Sequence, residues 1–325
     1  NAIRKLSNHL KHPERDFGFA GLKDAVAETY QRISIWNIDK ELIKTINLAN
    51  IKVFHPIRQK FAVKIGDLKG NFFEIIIRDI LDEWTIEEWE DFKINLESNG
   101  ILNFYGLQRF GTTRPILHVI GKLLLQGKYS EVIHKYLGES SPLENERIAK
   151  LRLEYHETHS YNNLRIKFPE SYQIEKMLLT GLERNHTAKT IILNLPKNFL
   201  KLAISAYQSY LFNKVLSYLN NVEFPLSVNE AIPLPGYQTD RKKIPKMISD
   251  TVTLFLEEDA LNFQSFNHEH SNLRSKGSTR QAIILPTKFS YSQENLTEKE
   301  KRVSFCLPKG SYGTVVIREI IKAEI

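Results

Sequence analysis

The chain has 325 residues, 45 Lys and Arg against 38 Asp and Glu for a net charge of +7, and a 42% hydrophobic share ordinary for a globular protein. That length holds one large domain or two of medium size, and the single cysteine, Cys306, excludes an internal disulfide framework and a multi-cysteine zinc site. No apolar run reaches the roughly 18 residues of a membrane helix, no signal peptide is visible, and the positive excess favours polyanionic partners.

Helical spacing of Ile3, Leu6 and Leu10 predicts a short helix over residues 2–10. Phe17-Gly18-Phe19-Ala20 reads as a strand running into Gly21-Leu22-Lys23-Asp24. Further strands are expected over Gln31–Trp36, Ile51–Ile57 and Asn71–Arg78. Asp82–Glu97 reads as an amphipathic helix with Trp89, Phe92 and Leu96 on one stripe. Residues 115–220 carry mostly helical periodicity. The longest run follows Pro196, with Leu200, Ile204, Tyr207, Leu211 and Val215 three or four apart. Residues 225–245 read as irregular and residues 264–280 as polar loop. Strand texture returns at Ala282–Leu285 and Val303–Leu307, and the chain closes on the β-branched run Thr314–Ile321. Strand-rich ends flanking a helix-rich middle predict an α+β protein, with a mixed sheet built from both termini and a helical domain inserted between.

Several constellations carry little chemistry. His156 with His159 and His268 with His270 lie in polar stretches and lack the third ligand of a catalytic zinc site. Gly121–Lys128 has the wrong glycine spacing for a phosphate loop, and Tyr129 stands where a hydroxyl for Mg²⁺ belongs. Cys306 lies in a strand run and reads as a structural thiol. Asp24 differs. It follows a strand and small residues that permit close approach of a flat ligand, and neighbouring Lys23 is a cation able to keep it ionised. The competing role is a cap on the next segment. Asn103-Phe104-Tyr105-Gly106-Leu107-Gln108-Arg109-Phe110-Gly111 combines amides, a guanidinium and aromatic rings. Those groups suit base edges, phosphates and stacking respectively, although the same residues also suit a turn with core aromatics.

Five motifs together resemble the TruD family of tRNA pseudouridine synthases. Phe19-Ala20-Gly21-Leu22-Lys23-Asp24, with Ala27, Thr29 and Gln31, is similar to the family's first box. Gly66-Asp67-Leu68-Lys69-Gly70-Asn71 with Phe73 is similar to the second, and Asn103–Gly111 to the third. Ala206-Tyr207-Gln208-Ser209 with Phe212-Asn213 resembles a helical fourth. Phe305 and Leu307-Pro308, then Gly310-Ser311-Tyr312, Thr314 and Arg318-Glu319, resemble the last. The resemblance implies a mixed β-sheet pseudouridine synthase core over residues 1–128 and 285–325, with a family-specific helical insertion over 129–284. It implies isomerisation of uridine to pseudouridine in tRNA, typically at position 13, without cofactor or metal, by a monomer in the cytoplasm and away from membranes. Related members modify other RNAs, including position 35 of a tyrosine tRNA precursor. It implies Asp24 as the catalytic residue and Lys23, Asn71, Asn103, Tyr105, Gln108 and Arg109 as substrate-binding residues.

The sequence departs from the family pattern at Ala25, at Glu28 and at Gly313, and the family's upstream segment, with a Lys and a Phe near the active site, has no counterpart in these residues. A catalytically inactive RNA-binding protein on the same scaffold is the alternative reading. A hydrolase acting on a glycosidic bond ranks lower, because no acidic cluster surrounds Asp24. Lys60, Lys64, Lys69, Arg109, Arg114, Arg241, Lys242, Lys243, Arg274, Lys276 and Arg280 are the expected phosphate-contacting cations.

Overall fold

Because Ile3, Leu6 and Leu10 share one face, α1 (Ala2–Leu10) buries Leu6 and Leu10 against Phe17. The structure, a computed structural model, describes residues 2–24, 26–79, 84–292 and 299–321. The chain divides into two compact units, Asn1–Phe72 with Pro308–Gly310 and Phe73–Leu307 with Ser311–Ile325.

In the first unit β1 (Phe17–Phe19) pairs antiparallel with β2 (Ile33–Ile35), Phe17 opposite Ile35 and Phe19 opposite Ile33. A short helix α2 (Lys40–Lys44) follows, its first turn capped by the Asp39 carboxylate. The strand expected over Ile51–Ile57 does not form. Among the described residues that segment makes an isolated bridge, Ile51 to Leu48, and no ladder. His55 takes a positive φ and Pro56 has no N–H to donate, so the extended pairing breaks and Phe54 and Ile57 stay exposed.

The second unit is mixed α+β, as its patterning predicts. β3 (Gly70–Ile77), which enters this unit at Phe73, lies beside β9 (Lys301–Pro308), and β9 pairs antiparallel with β8 (Thr287–Ser292). α3 (Ile86–Ser98) packs Trp89 and Leu96 into the cluster formed with Phe289, Val303 and Phe305. It begins later than its apolar pattern because Thr85 and Glu88 close a capping box. Asp82 and Glu83, expected in this helix, lie outside the described residues, as does Ala25. The closing β-branched run is a helix, α12 (Gly313–Ile321). Val315, Val316 and Ile320 recur at helical spacing and are buried, so tertiary packing overrides β-branched propensity.

Between these lie α4 (Leu117–Leu125), α5 (Tyr129–Gly138), α6 (Glu146–Thr158), α7 (Leu164–Lys167), α8 (Gln173–Glu183), α9 (Ala188–Leu193), α10 (Lys197–Asn221) and α11 (Lys246–Glu258). α10 is the axis of the helical core and buries Leu200, Ile204, Tyr207, Leu211 and Val215 at the expected spacing. Gly121 lets α4 cross it closely, since a Cβ there would lie 2.1 Å from the Ala203 carbonyl oxygen.

The strand expected at Ala282–Leu285 forms as Ile283–Ile284, but the pairing of two short ribbons escapes sequence reading. β5 (Ala231–Leu234) pairs antiparallel with β6 (Ser278–Gln281), and β4 (Ile101–Leu102) with β7 (Ile283–Ile284). β5 and β6 fall in stretches expected to be irregular. Ser278-Thr279-Arg280-Gln281 has no apolar alternation, and only its partner strand makes it a strand.

Candidate functional site

The expected site residues fall into two groups, one on each unit. On the first unit, the segment after β1 holds Lys23 and Asp24. Gly18 in β1 sits so close to the Val63 carbonyl that a Cβ would lie 2.2 Å from it. That proximity brings the second box alongside the first. Gly66 donates its N–H to the Ala20 carbonyl at 2.8 Å, and Lys23 donates from Nζ to Asn71 Oδ1 at 2.6 Å. Lys309, from the last box, reaches the Gly66 carbonyl at 3.4 Å. Asp24 is exposed, close in sequence to Leu22 at 90% and Val26 at 100% exposure. Among the described residues Lys23 and Asp24 form no ion pair, and the Lys23 ammonium donates instead to Asn71. Glu28 accepts a hydrogen bond from the Tyr30 hydroxyl, which raises the tyrosine above its ordinary range.

On the second unit, the third box is the hub. Asn103 follows β4 and is 5% exposed. Its N–H donates to the Ala282 carbonyl at 2.7 Å, and its Nδ2 donates to the Gln281 carbonyl at 2.9 Å. Its own carbonyl accepts from Arg280 Nε at 3.0 Å, and its Oδ1 accepts from Arg280 Nη2. Both ends of this amide are thus held by protein. Tyr105 is half-buried, and its backbone is held at both N and O by Asn213 of α10. Its ring meets Phe212 edge-on at 5.5 Å and Tyr312 at 5.9 Å between centroids. Gly106 sits close to this cluster, since a Cβ would lie 3.1 Å from both Thr314 and Tyr312 side chains. Arg109 donates from Nε to Ser209 Oγ at 3.0 Å and from Nη2 to Ser205 Oγ. Gln108 is exposed.

The guanidinium of Arg280 lies 4.0 Å from the Tyr105 ring centroid, 5.5 Å from Phe212 and 5.9 Å from Tyr312. Burial lowers its proton affinity, while Tyr105 and Tyr312 pull the other way. Burial lifts the Tyr312 phenol, against the opposing pull of Arg109 and Arg280. The result is a wall of aromatic rings around a cation, on which a flat base can stack, while Asp24 lies on the other unit. Among the described residues no three His, Cys, Asp or Glu side chains are grouped to hold a metal ion, and no helix is long and apolar enough to cross a membrane.

One expected phosphate contact is corrected. Arg114 is buried, donates to the Tyr136 and Glu139 carbonyls, and faces Glu144 and Glu175 beside Arg152. It is a core group sealed from RNA. Ser205, Phe212, Asn213 and Tyr312 were not expected as site residues, and Arg280 was expected only as a phosphate contact. The signal for α10 was present, because Ser205, Ser209 and Asn213 recur every four residues and so share a helix face.

The model of the family tRNA pseudouridine synthase D (TruD) matches residues 1–231 and 227–320. The chain is 33% identical over 365 residues to a protein of Archaeoglobus fulgidus named "Probable tRNA pseudouridine synthase D", with all of this chain and 86% of that one covered. A protein of the same name from Pyrococcus furiosus is 31% identical, covering 99% and 86%. The fold is similar to a crystal structure assigned to tRNA pseudouridine synthase D (TruD) of Methanosarcina mazei. The TM-score is 0.82 at 26% identity, over 99% of this chain and 85% of that one.

Proposed function

The chain belongs to the TruD family of tRNA pseudouridine synthases, which are isomerases, and from that premise we propose that it converts uridine to pseudouridine in tRNA, at position 13, with Asp24 as the catalytic carboxylate. The reaction breaks the bond between uracil N1 and ribose C1′, turns the freed base, and joins its C5 to C1′. Nothing is oxidised and no phosphate moves, so one carboxylate supplies the chemistry without cofactor or metal. Asp24 acts as nucleophile or as the base that takes a sugar proton. Its exposure supports this role, since a nucleotide carried on an RNA strand must reach it.

Lys23, Asn71, Asn103, Tyr105, Gln108 and Arg109 bind the substrate, with Tyr105 stacking on the base. Such stacking offsets the few kcal/mol spent on extracting a uridine from its stack. The observation that carries the reading is the convergence on Tyr105 of three motifs distant in sequence: its own loop, Asn213 and Phe212 of α10, and Tyr312 before α12. Residues 129–284 form the family insertion within a core of 1–128 and 285–325. The enzyme acts on tRNA as a cytoplasmic monomer.

The test is incubation with an unmodified tRNA transcript, followed by mapping of pseudouridine at nucleotide resolution. One new pseudouridine at position 13 is expected. Asp24→Asn should bind the same tRNA within about threefold and make none, because an exposed isosteric change leaves the fold intact. Turnover by Asp24→Asn removes Asp24 from the mechanism. Binding by the unaltered chain with no isomerisation points instead to an RNA-binding protein on this scaffold.

A further inference from the structure

Arg280 lies on β6, opposite Ile232 of β5, in a segment that none of the five family-like motifs covers. A guanidinium is costly to remove from water unless its donors are met. This one is half-buried, and Asn103 meets it at two points, the backbone carbonyl at Nε and the side-chain Oδ1 at Nη2. Its Cζ lies over the Tyr105 ring, 4.0 Å from the ring centroid. Asn103 is itself fixed to β6 and the following residue, through Gln281 and Ala282. The side chain of Arg280 therefore ties the plane of the Tyr105 ring to the β5–β6 ribbon, while Asn213 ties the Tyr105 backbone to α10.

The geometry points to Arg280 as the positioning residue of the base-binding loop: its guanidinium, forked onto Asn103 and stacked on Tyr105, sets the ring orientation on which the uridine is received. It acts through Tyr105 and is not a phosphate anchor. Asn103 anchors that guanidinium through its carbonyl and its Oδ1. This inference rests on the proposed stacking role of Tyr105.

A lysine keeps the charge but not the planar fork, so Arg280→Lys separates geometry from charge. Turnover, tRNA KM, the salt dependence of binding and thermal melting are measured for the unaltered chain, Arg280→Lys, Arg280→Ala and Tyr105→Ala. The expected result is a fall in kcat of about 10- to 100-fold for Arg280→Lys, because small misplacements of a reacting group cost that much. Arg280→Ala should fall further and recover in part when millimolar methylguanidinium is added. For Arg280→Lys the tRNA KM should stay within about twofold, and the melting temperature within the few degrees of a mild substitution.

Three results overturn the proposal. An unchanged kcat in both Arg280 variants removes the positioning role. A raised KM at unchanged kcat, with the salt slope reduced by about one, makes Arg280 a phosphate contact. A collapse of melting in Arg280→Lys itself makes it a structural prop of the ribbon. The reading beneath it is tested separately. If the unaltered chain makes no pseudouridine, the function fails; if it does, and Tyr105→Ala slows while the Arg280 variants do not, only the Arg280 proposal fails.

Discussion

Asn213 clasps Tyr105 by both of its backbone groups, accepting from the N–H at 2.8 Å and donating to the carbonyl at 3.0 Å. A side-chain amide is the right group for this, because it offers a donor and an acceptor side by side. Asn213→Ala leaves two half-buried backbone groups without partners and should cost about 1–3 kcal/mol. Denaturant unfolding reads this directly. A loss below about 0.5 kcal/mol, within the range of an ordinary surface change, would mean that water replaces the clasp.

Tyr105→Ala removes the ring on which the base is proposed to stack. Stacking of that kind contributes about 1–3 kcal/mol, so turnover should fall roughly 5- to 150-fold at 1.4 kcal/mol per decade. Overall tRNA affinity should change little, because phosphate contacts dominate it. Parallel kinetic and binding titrations decide the point. A proportional loss of both would remove the stacking role.

Arg152 is 1% exposed and donates to Glu144 at 3.0 Å and Glu175 at 2.7 Å, with Arg114 completing the cluster. Removing one member strands buried charge, so Arg152→Ala should destabilise by about 3–5 kcal/mol. Glu175→Gln, which keeps an acceptor for Arg152, should cost less. Urea midpoints for the two variants test the order, and the reverse order would contradict this account of the cluster.

Alkaline stability should reflect the buried tyrosines. Burial pushes Tyr155 up to about 12, and Tyr136 likewise up to about 12 with Glu175 adding to the effect. The folded chain therefore holds these phenolic protons more tightly than the unfolded chain does. Their contribution is complete below pH 10 and is lost as pH rises from about 10 to 12. The melting temperature should drop across that window, and Tyr155→Phe should shrink the drop. An identical alkaline profile for Tyr155→Phe would rule Tyr155 out as a source.

Gly121→Ala tests the helix crossing. The added methyl would sit 2.1 Å from the Ala203 carbonyl oxygen and 2.9 Å from Tyr207 Cβ. Backbone cannot yield there without separating α4 from α10, so the cost should be about 1–3 kcal/mol or more. Since alanine is the better helix former, a stabilised variant would mean the helices separate freely. Circular dichroism melting distinguishes the two.

The amino-acid sequence by itself determined the family and most of the helices. Leu200, Ile204, Tyr207, Leu211 and Val215 announce α10 because burial on one face leaves a 3.6-residue period that survives in the order of residues. The motifs likewise single out Asp24 and Tyr105 as the residues to which the proposed function assigns catalysis and stacking. What only the tertiary structure decided is which motifs meet. Pairing of β5 with β6 depends on hydrogen bonds between backbones 50 positions apart at Ala231 and Gln281, and no local pattern encodes a partner that distant. The same is true of Arg280 and Asn103, of Asn213 and Tyr105, and of the helix at the C-terminal end, where burial of Val315, Val316 and Ile320 outweighs β-branched propensity.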